Sequence, residues 1–495
     1  MNARSTTHRR EATWTFAAVL LCLFLAALDQ TIVSTALPRV VQDLHGLQRY
    51  AWVTTAYLLT STALVPIYGK LADVRRHFAV QAGAIGLFLS GSLLCGLAGL
   101  FGTLPIVGDG MNQLIVARAI QGLGGSGLFA MAFIVIADLF PPSERGKYQG
   151  FIGSVWGLSS LVGPFLGGLL TDRAGGWIPG IAGWRWVFLV NIPIGAIALW
   201  VIFTRMPRKP PAHPEGRVDV GQVALLLAGL VPLLLALSLG GHWRPWTDPV
   251  IAGSFAGGLA LLVAFVVTTL RSKSPLLNLH LYTQRTFQAM NWLLLMQGAA
   301  FMGLIIFPPL YLVNARGFTP QEAGMSLIPM TLGVMAGSML AGQVASRKRR
   351  VRFIFLAASP AMAIAMFVLS GISDTTPSWL FILELALTGF VVAPTFPLSS
   401  LAVQNAVEPR VIGQATALTQ FTRQIGGVLG SAALGAILAV HVASGGGRME
   451  PTEYAHVLSN IFLVCGVLSA LSVLGAWFLP DLELQGSPKP VAAEG

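Results

Sequence analysis

Fourteen long apolar segments run through this 495-residue chain, and the short stretches between them hold almost all of its lysine and arginine. A helix needs about 20 mostly apolar residues to cross the hydrocarbon core of a bilayer. The uncharged run from Thr286 to Ala315 alone exceeds that. Only 10% of residues are charged and 54% are apolar, whereas roughly a quarter of a soluble chain is charged. The pattern predicts an all-α integral membrane protein with spans near 14–37, 51–71, 78–98, 112–138, 148–171, 186–204, 219–240, 249–270, 286–313, 321–344, 353–372, 378–400, 411–440 and 457–479.

The charge balance of +11 raises the question of a nucleic-acid partner, and the placement of the charges answers it. With both termini in the cytoplasm, inside segments hold 22 of the 31 Lys and Arg, counting Lys70 at the inner end of the second span, and outside segments 7, while Arg118 and Arg423 lie deep within spans. That asymmetry follows the positive-inside rule, so the basic balance reports orientation in a lipid bilayer and predicts no nucleic-acid partner. Cys22, Cys95 and Cys465 all fall in spans, without metal-ligand spacing. They read as buried apolar thiols. The basic first 13 residues and the apolar run after them resemble a signal peptide, but the run continues past Asp29 without a small-residue cleavage site, which predicts an uncleaved first helix.

Most connections are very short, so the function must lie inside the helix bundle. The longer segments are the inside loops at 205–217 and 271–285 and the outside loop at 441–456. The two inside loops bracket spans 7 and 8. They divide the chain into an N-terminal six-helix bundle (1–204), two additional helices with their loops (205–285), a C-terminal six-helix bundle (286–480) and a cytoplasmic tail (481–495). A weak repeat agrees with this division: GKLADVRR (69–76) is echoed by GQVASRKRR (342–350), and PPSERGKYQG (141–150) by EPRVIGQA (408–415). Internal symmetry of this kind marks transporters whose halves rock about a central site.

Several segments carry polar groups into the membrane. LDQTIVSTALP (28–38) places Asp29 in mid-span, at a cost on the order of 2.5 to 3.5 kcal/mol on insertion scales. It should therefore meet a cavity or a partner, either as a proton or cation site or as one member of a structural ion pair. RAIQGLGGSG (118–127) buries Arg118 and follows it with Gln121. A guanidinium at that depth implies proton handling beside a carboxyl, or a clamp on backbone carbonyls. At the end of span 2, Gly69 permits close helix approach, and Asp73 beside Arg75 and Arg76 reads as an inside gate latch, the two arginines also serving as orientation charges. GSVWGLSSLVGPFLGGLL (153–170) pairs Gly153 with Gly157 and Gly163 with Gly167 around Pro164. That gives a flat face for packing, expected of the span against the other half and of any single glycine pair as generic helix packing, and a local weakness at the proline. Glu384 in span 12 and Arg423 in span 13 are further buried charges. Glu384 reads equally as a second cation site or as the structural partner of Arg423.

Taken together, LDQTIVSTALP, RAIQGLGGSG, GPFLGG with its preceding glycines, WRWVFLVNIPIG (184–195) and TRQIGGVLG (422–430) resemble the major facilitator superfamily. The likeness is closest to its fourteen-helix drug:proton antiporter branch and covers nearly the whole chain. The resemblance implies the major facilitator fold, with spans 1–6 and 9–14 as two bundles and spans 7 and 8 as peripheral extras. It makes GPFLGG the antiporter signature and Arg118 the proton-linked arginine. One stretch departs from the family pattern: Asp73 is followed by Val74, Arg75, Arg76 and His77 with no glycine, so the loop is shortened.

The expected function is proton-coupled export of hydrophobic small molecules, with or without positive charge, by alternating access. Asp29, Arg118 and Glu384 are the candidate substrate or proton sites. The resemblance implies a multi-pass protein of the plasma or inner membrane, working as a monomer and driven by the proton gradient without a cofactor. No Walker-type GxxxxGK[ST] appears, and no loop is long enough for a nucleotide domain. The alternatives on the same fold are a dedicated exporter or an importer of a metabolite, lipid or siderophore. A membrane enzyme would need clustered acid–base or metal residues, whereas the eight histidines are scattered. A non-transporting receptor or scaffold is the remaining class, disfavoured by the buried charges.

Overall fold

Several helices begin on caps that the sequence provides. Asp219 and Asp248 accept hydrogen bonds from backbone N–H groups at two such starts, and Thr319 with Glu322 and Glu450 with Glu453 form reciprocal capping boxes at two more. The computed structural model describes residues 3–46, 49–177, 181–211, 215–240, 245–272, 274–444, 450–481 and 483–484. Among these the α-helices are α1 (Ala3–Asp43), α2 (Tyr50–Ala63), α3 (Val65–Val74), α4 (His77–Leu97), α5 (Gly110–Leu139), α6 (Pro142–Arg173), α7 (Arg185–Leu189), α8 (Asn191–Arg205), α9 (Val220–Leu239), α10 (Pro249–Arg271), α11 (Arg285–Asn314), α12 (Pro320–Met325), α13 (Ile328–Lys348), α14 (Arg352–Leu369), α15 (Ser378–Val392), α16 (Thr395–Ala406), α17 (Ile412–Ser444) and α18 (Pro451–Phe478).

Among the described residues, thirteen helical stretches are long and apolar enough to cross a membrane. The span expected near 51–71 is divided: α2 and α3 meet at Leu64. Pro66 is the cause, since it has no N–H to continue the ladder but fits the first turn of a new helix, where none is needed. Prolines mark similar breaks between α12 and α13, at Pro329, and between α15 and α16, at Pro394.

Contacts group the chain into two units. The first comprises Met1–Ala132, Val155–Leu279 and Gly427–Met449. In it α1 packs on α8, α4 on α7 and α8, and α9 on both α10 and α2. Helix α10 is the least covered, with Val250, Phe255, Leu259, Val263 and Leu270 exposed, as a lipid-facing helix requires. At one end of this unit, Arg49 makes a two-pronged ion pair with Asp109, at 3.0 and 2.6 Å. That hydrogen bonding holds the Asp109 carboxyl below the usual carboxylate range.

The second unit comprises Phe133–Ser154, His280–Gly426 and Glu450–Gly495. Here α11 and α14 pack on α18, and α13 on α15. The Arg145 guanidinium donates to the carbonyls of Phe140 (2.9 Å) and Ala137 (2.6 Å) and so closes the end of α5. After α18, the chain returns to the α13–α14 turn, where Arg350 pairs with Asp481 at 3.0 Å and Leu484 N donates to Arg349 O at 2.8 Å.

Parts of the expected 205–217 and 441–456 loops, and most of the tail, lie outside the described residues. The expected orientation is open to labelling on a background lacking Cys22, Cys95 and Cys465, all three of which are buried. An impermeant thiol reagent added to intact cells should modify Gly446→Cys and spare Ala212→Cys and Pro488→Cys. Labelling at position 212 would invert the arrangement.

Candidate functional site

The Asp29 carboxylate lies in α1 with no exposure to solvent, and the first unit surrounds it with donors. Arg118 Nη1 from α5 approaches Asp29 Oδ2 at 2.5 Å. Gln121 Nε2, one turn further along α5, donates to Oδ1 at 2.7 Å, and Asn191 Nδ2 from α8 donates to the same oxygen at 3.3 Å. Arg118 and Gln121 lie three residues apart and so share one helix face. That spacing lets Arg118 Nη1 also donate to Gln121 Oε1, at 2.7 Å.

A second layer holds these donors in place. Ser92 of α4 accepts from Gln121 (3.2 Å) and Asn191 (2.9 Å) and itself donates to the Phe188 carbonyl at 2.9 Å. Cys95 Sγ lies 3.6 Å from Gln121 Oε1. On the other side, the Arg118 guanidinium sits 4.3 Å from the centre of the Tyr57 ring, and its Nε donates to the Val53 carbonyl at 3.4 Å. Both of those residues belong to α2. Arg118 therefore joins α1, α2 and α5 at one point, and its partners enclose the Asp29 carboxylate.

The structure thus brings Asp29, Arg118 and Gln121 together, and the ion-pair arrangement holds for Asp29. Glu384 is not part of the cluster: it lies half-buried on α15, and among the described residues no ion pair joins it to Arg423. Gly69 and Asp73 are buried in α3, whereas Arg75 and Arg76 just beyond it are exposed. Asp73 lies within electrostatic reach of Lys70, one turn earlier.

The glycines of α6 divide between two neighbours. A side chain at Gly163 or Gly167 would run into Thr31 or Thr35 of α1, so these two positions pack on α1 within the first unit. Pro164, between them, is exposed, and Gly157 is buried. The start of α6 packs on α13 inside the second unit. There a Cβ on Gly150 would lie 2.8 Å from the Ser338 carbonyl of α13, and Gly153 faces the Ser338 side chain.

Sequence reasoning missed Ser92, Asn191 and Tyr57 as members of the cluster. Asn191 left a signal, as an amide in the otherwise apolar run FLVNIPIG. Ser92 left none, because a lone serine in a span costs little. Among the described residues no three His, Cys, Asp or Glu side chains are grouped to hold a metal ion.

A sequence model described as the Major Facilitator Superfamily matches residues 19–431. Multidrug resistance protein 3 of Bacillus subtilis (strain 168) is 36% identical over 435 residues, covering 87% of this chain and 81% of its own. Multidrug transporter protein MdtP of the same strain is 34% identical over 420 residues, covering 85% and 74%. A structure of the proton:xylose symporter XylE superposes with a TM-score of 0.67 at 14% identity, over 96% of this chain and 97% of that one. At that identity the likeness concerns the fold alone.

Proposed function

Because the chain belongs to the Major Facilitator Superfamily, and is therefore a multi-pass membrane transporter and not an enzyme, we propose that it exports hydrophobic small molecules from the cell in exchange for protons. Two relatives named as multidrug transport or resistance proteins support a role in moving small molecules. The observation that carries proton coupling is the Asp29–Arg118 pair, sealed inside one unit with a matched charge and a shared set of amide donors.

Protonation of Asp29 removes the countercharge of Arg118. The guanidinium must then find another partner or draw its neighbours with it, since an uncompensated charge inside a protein costs several kcal/mol. Its bonds to Val53 and its stacking on Tyr57 convey that change to α2, which is broken from α3 at Leu64. Helix α3 carries Gly69 and Asp73, the candidate gate residues, with Arg75 and Arg76 just after it. Each proton entering down a potential of about 100 mV supplies roughly 2.3 kcal/mol, enough to drive export uphill.

Cells without background efflux pumps, expressing this chain and loaded with a fluorescent hydrophobic dye, test the reading. Dye should leave on energisation and stop leaving when a protonophore is added while ATP is held constant. Efflux that survives collapse of the proton gradient would remove proton coupling.

A further inference from the structure

Arg423 has surroundings like those of Arg118, but without an acid among the described residues. Both arginines sit inside candidate spans, three residues from a glutamine on the same helix and stacked on an aromatic ring. In the second unit Arg423 Nε donates to Gln420 Oε1 at 3.1 Å, and its guanidinium lies 5.2 Å from the centre of the Phe396 ring of α16. Gln420 is itself fixed by donating to Ser400 Oγ at 2.8 Å, so its carbonyl is turned toward the arginine. Phe396 is braced edge-on by Phe301 of α11, with ring centres 5.0 Å apart.

A guanidinium has five N–H donors, and here only the one on Nε is used among the described residues. The two terminal nitrogens, whose four N–H groups form the fork that fits a carboxylate or sulfonate, donate to nothing among the described residues. The residue as a whole is partly exposed. In the first unit Asp29 supplies the countercharge of Arg118. A charged group held within a span without a countercharge is costly and points to a functional partner.

We propose that Arg423, with the Phe396 and Phe301 rings, docks the anionic group of an aromatic amphiphile, and that such amphiphiles are substrates of this transporter. The ring pair supplies an apolar face for the aromatic body, and the fork supplies the anion site. The inference rests on the exporter reading only for the direction of movement, because binding can be read at equilibrium without any gradient.

The test uses the full chain in phosphatidylcholine nanodiscs, which offer no anionic lipid to compete. The probes are 1-naphthylacetate, its methyl ester and (1-naphthylmethyl)trimethylammonium, with affinities measured by calorimetry. The carboxylate should bind about tenfold more tightly than the ester, roughly 1.4 kcal/mol. Arg423→Gln should bring it down to the ester's affinity while leaving the ester within about twofold, and Arg423→Lys should fall between. Should Arg423→Gln not purify, Phe396→Leu keeps the charge and removes the stacking, and it should reduce the carboxylate-to-ester ratio about threefold. Equal binding of carboxylate and ester by the native protein, tighter binding of the ammonium probe, or a ratio unchanged by these variants would overturn the proposal. Loss of gradient-driven transport with the ratio intact would count against proton coupling and leave the anion site standing.

Discussion

Asp29→Asn should abolish uphill transport and also lower the melting temperature of the purified protein. The amide keeps the shape of the side chain but removes the countercharge of an arginine that is only 1% exposed. Breaking a buried pair from one side costs about 3 to 5 kcal/mol, a large share of the roughly 5 to 15 kcal/mol that holds a typical domain together. Arg118→Gln should destabilise less, since the stranded Asp29 can take up a proton and become neutral. The informative variant is the double substitution Asp29→Asn with Arg118→Gln. It replaces the ion pair by two amides within reach of Gln121 and Asn191, and should recover most of the lost stability. Transport against a gradient should remain absent, because nothing at the site can titrate. A double variant that transports at the native rate would place the coupling acid elsewhere, with Glu384 on α15 the next residue to test.

The second large effect concerns α6. Gly163→Leu and Gly167→Leu insert a branched side chain where α1 already lies, against Thr31, Ile32 and Thr35. Overpacking typically costs about 1 to 3 kcal/mol, and more where backbone must move. Gly168, next in the chain, has nothing within 4 Å of an added Cβ, so Gly168→Leu is the matched control. Thermal melting of the three purified variants should show the first two clearly destabilised and the third near the native value. Similar melting of Gly167→Leu and Gly168→Leu would contradict the assigned face of the helix.

The membrane fold was legible because the bilayer demands long uncharged helices and the cytoplasm retains the positive loops; both leave marks on every span. The break at Leu64 was less so. A proline at position 66 is compatible with a kink, a helix start or a packed helix, and only tertiary contacts choose among them. Asp29 and Arg118 were each conspicuous as charges in apolar runs, yet they are 89 residues apart and no local rule pairs them. The glycine spacing of α6 announced a close-packed face without naming the neighbour: one helix meets α13 at Gly150 and α1 at Gly163. Arg423 was visible, but that no carboxylate among the described residues pairs with it is a property of the folded unit, which places Phe396 and Gln420 beside it.

The central claim is that substrate and proton movements are obligatorily linked through the Asp29–Arg118 pair, and substrate-driven proton flux tests it most directly. Purified protein would be reconstituted into vesicles that enclose a pH-sensitive dye and have a weakly acidic lumen. Addition of a hydrophobic substrate outside should raise the lumenal pH as substrate accumulates inside, and Asp29→Asn vesicles with equal protein content should show neither change. Substrate accumulation without proton release, or equal proton release from native and Asp29→Asn vesicles, would contradict the account.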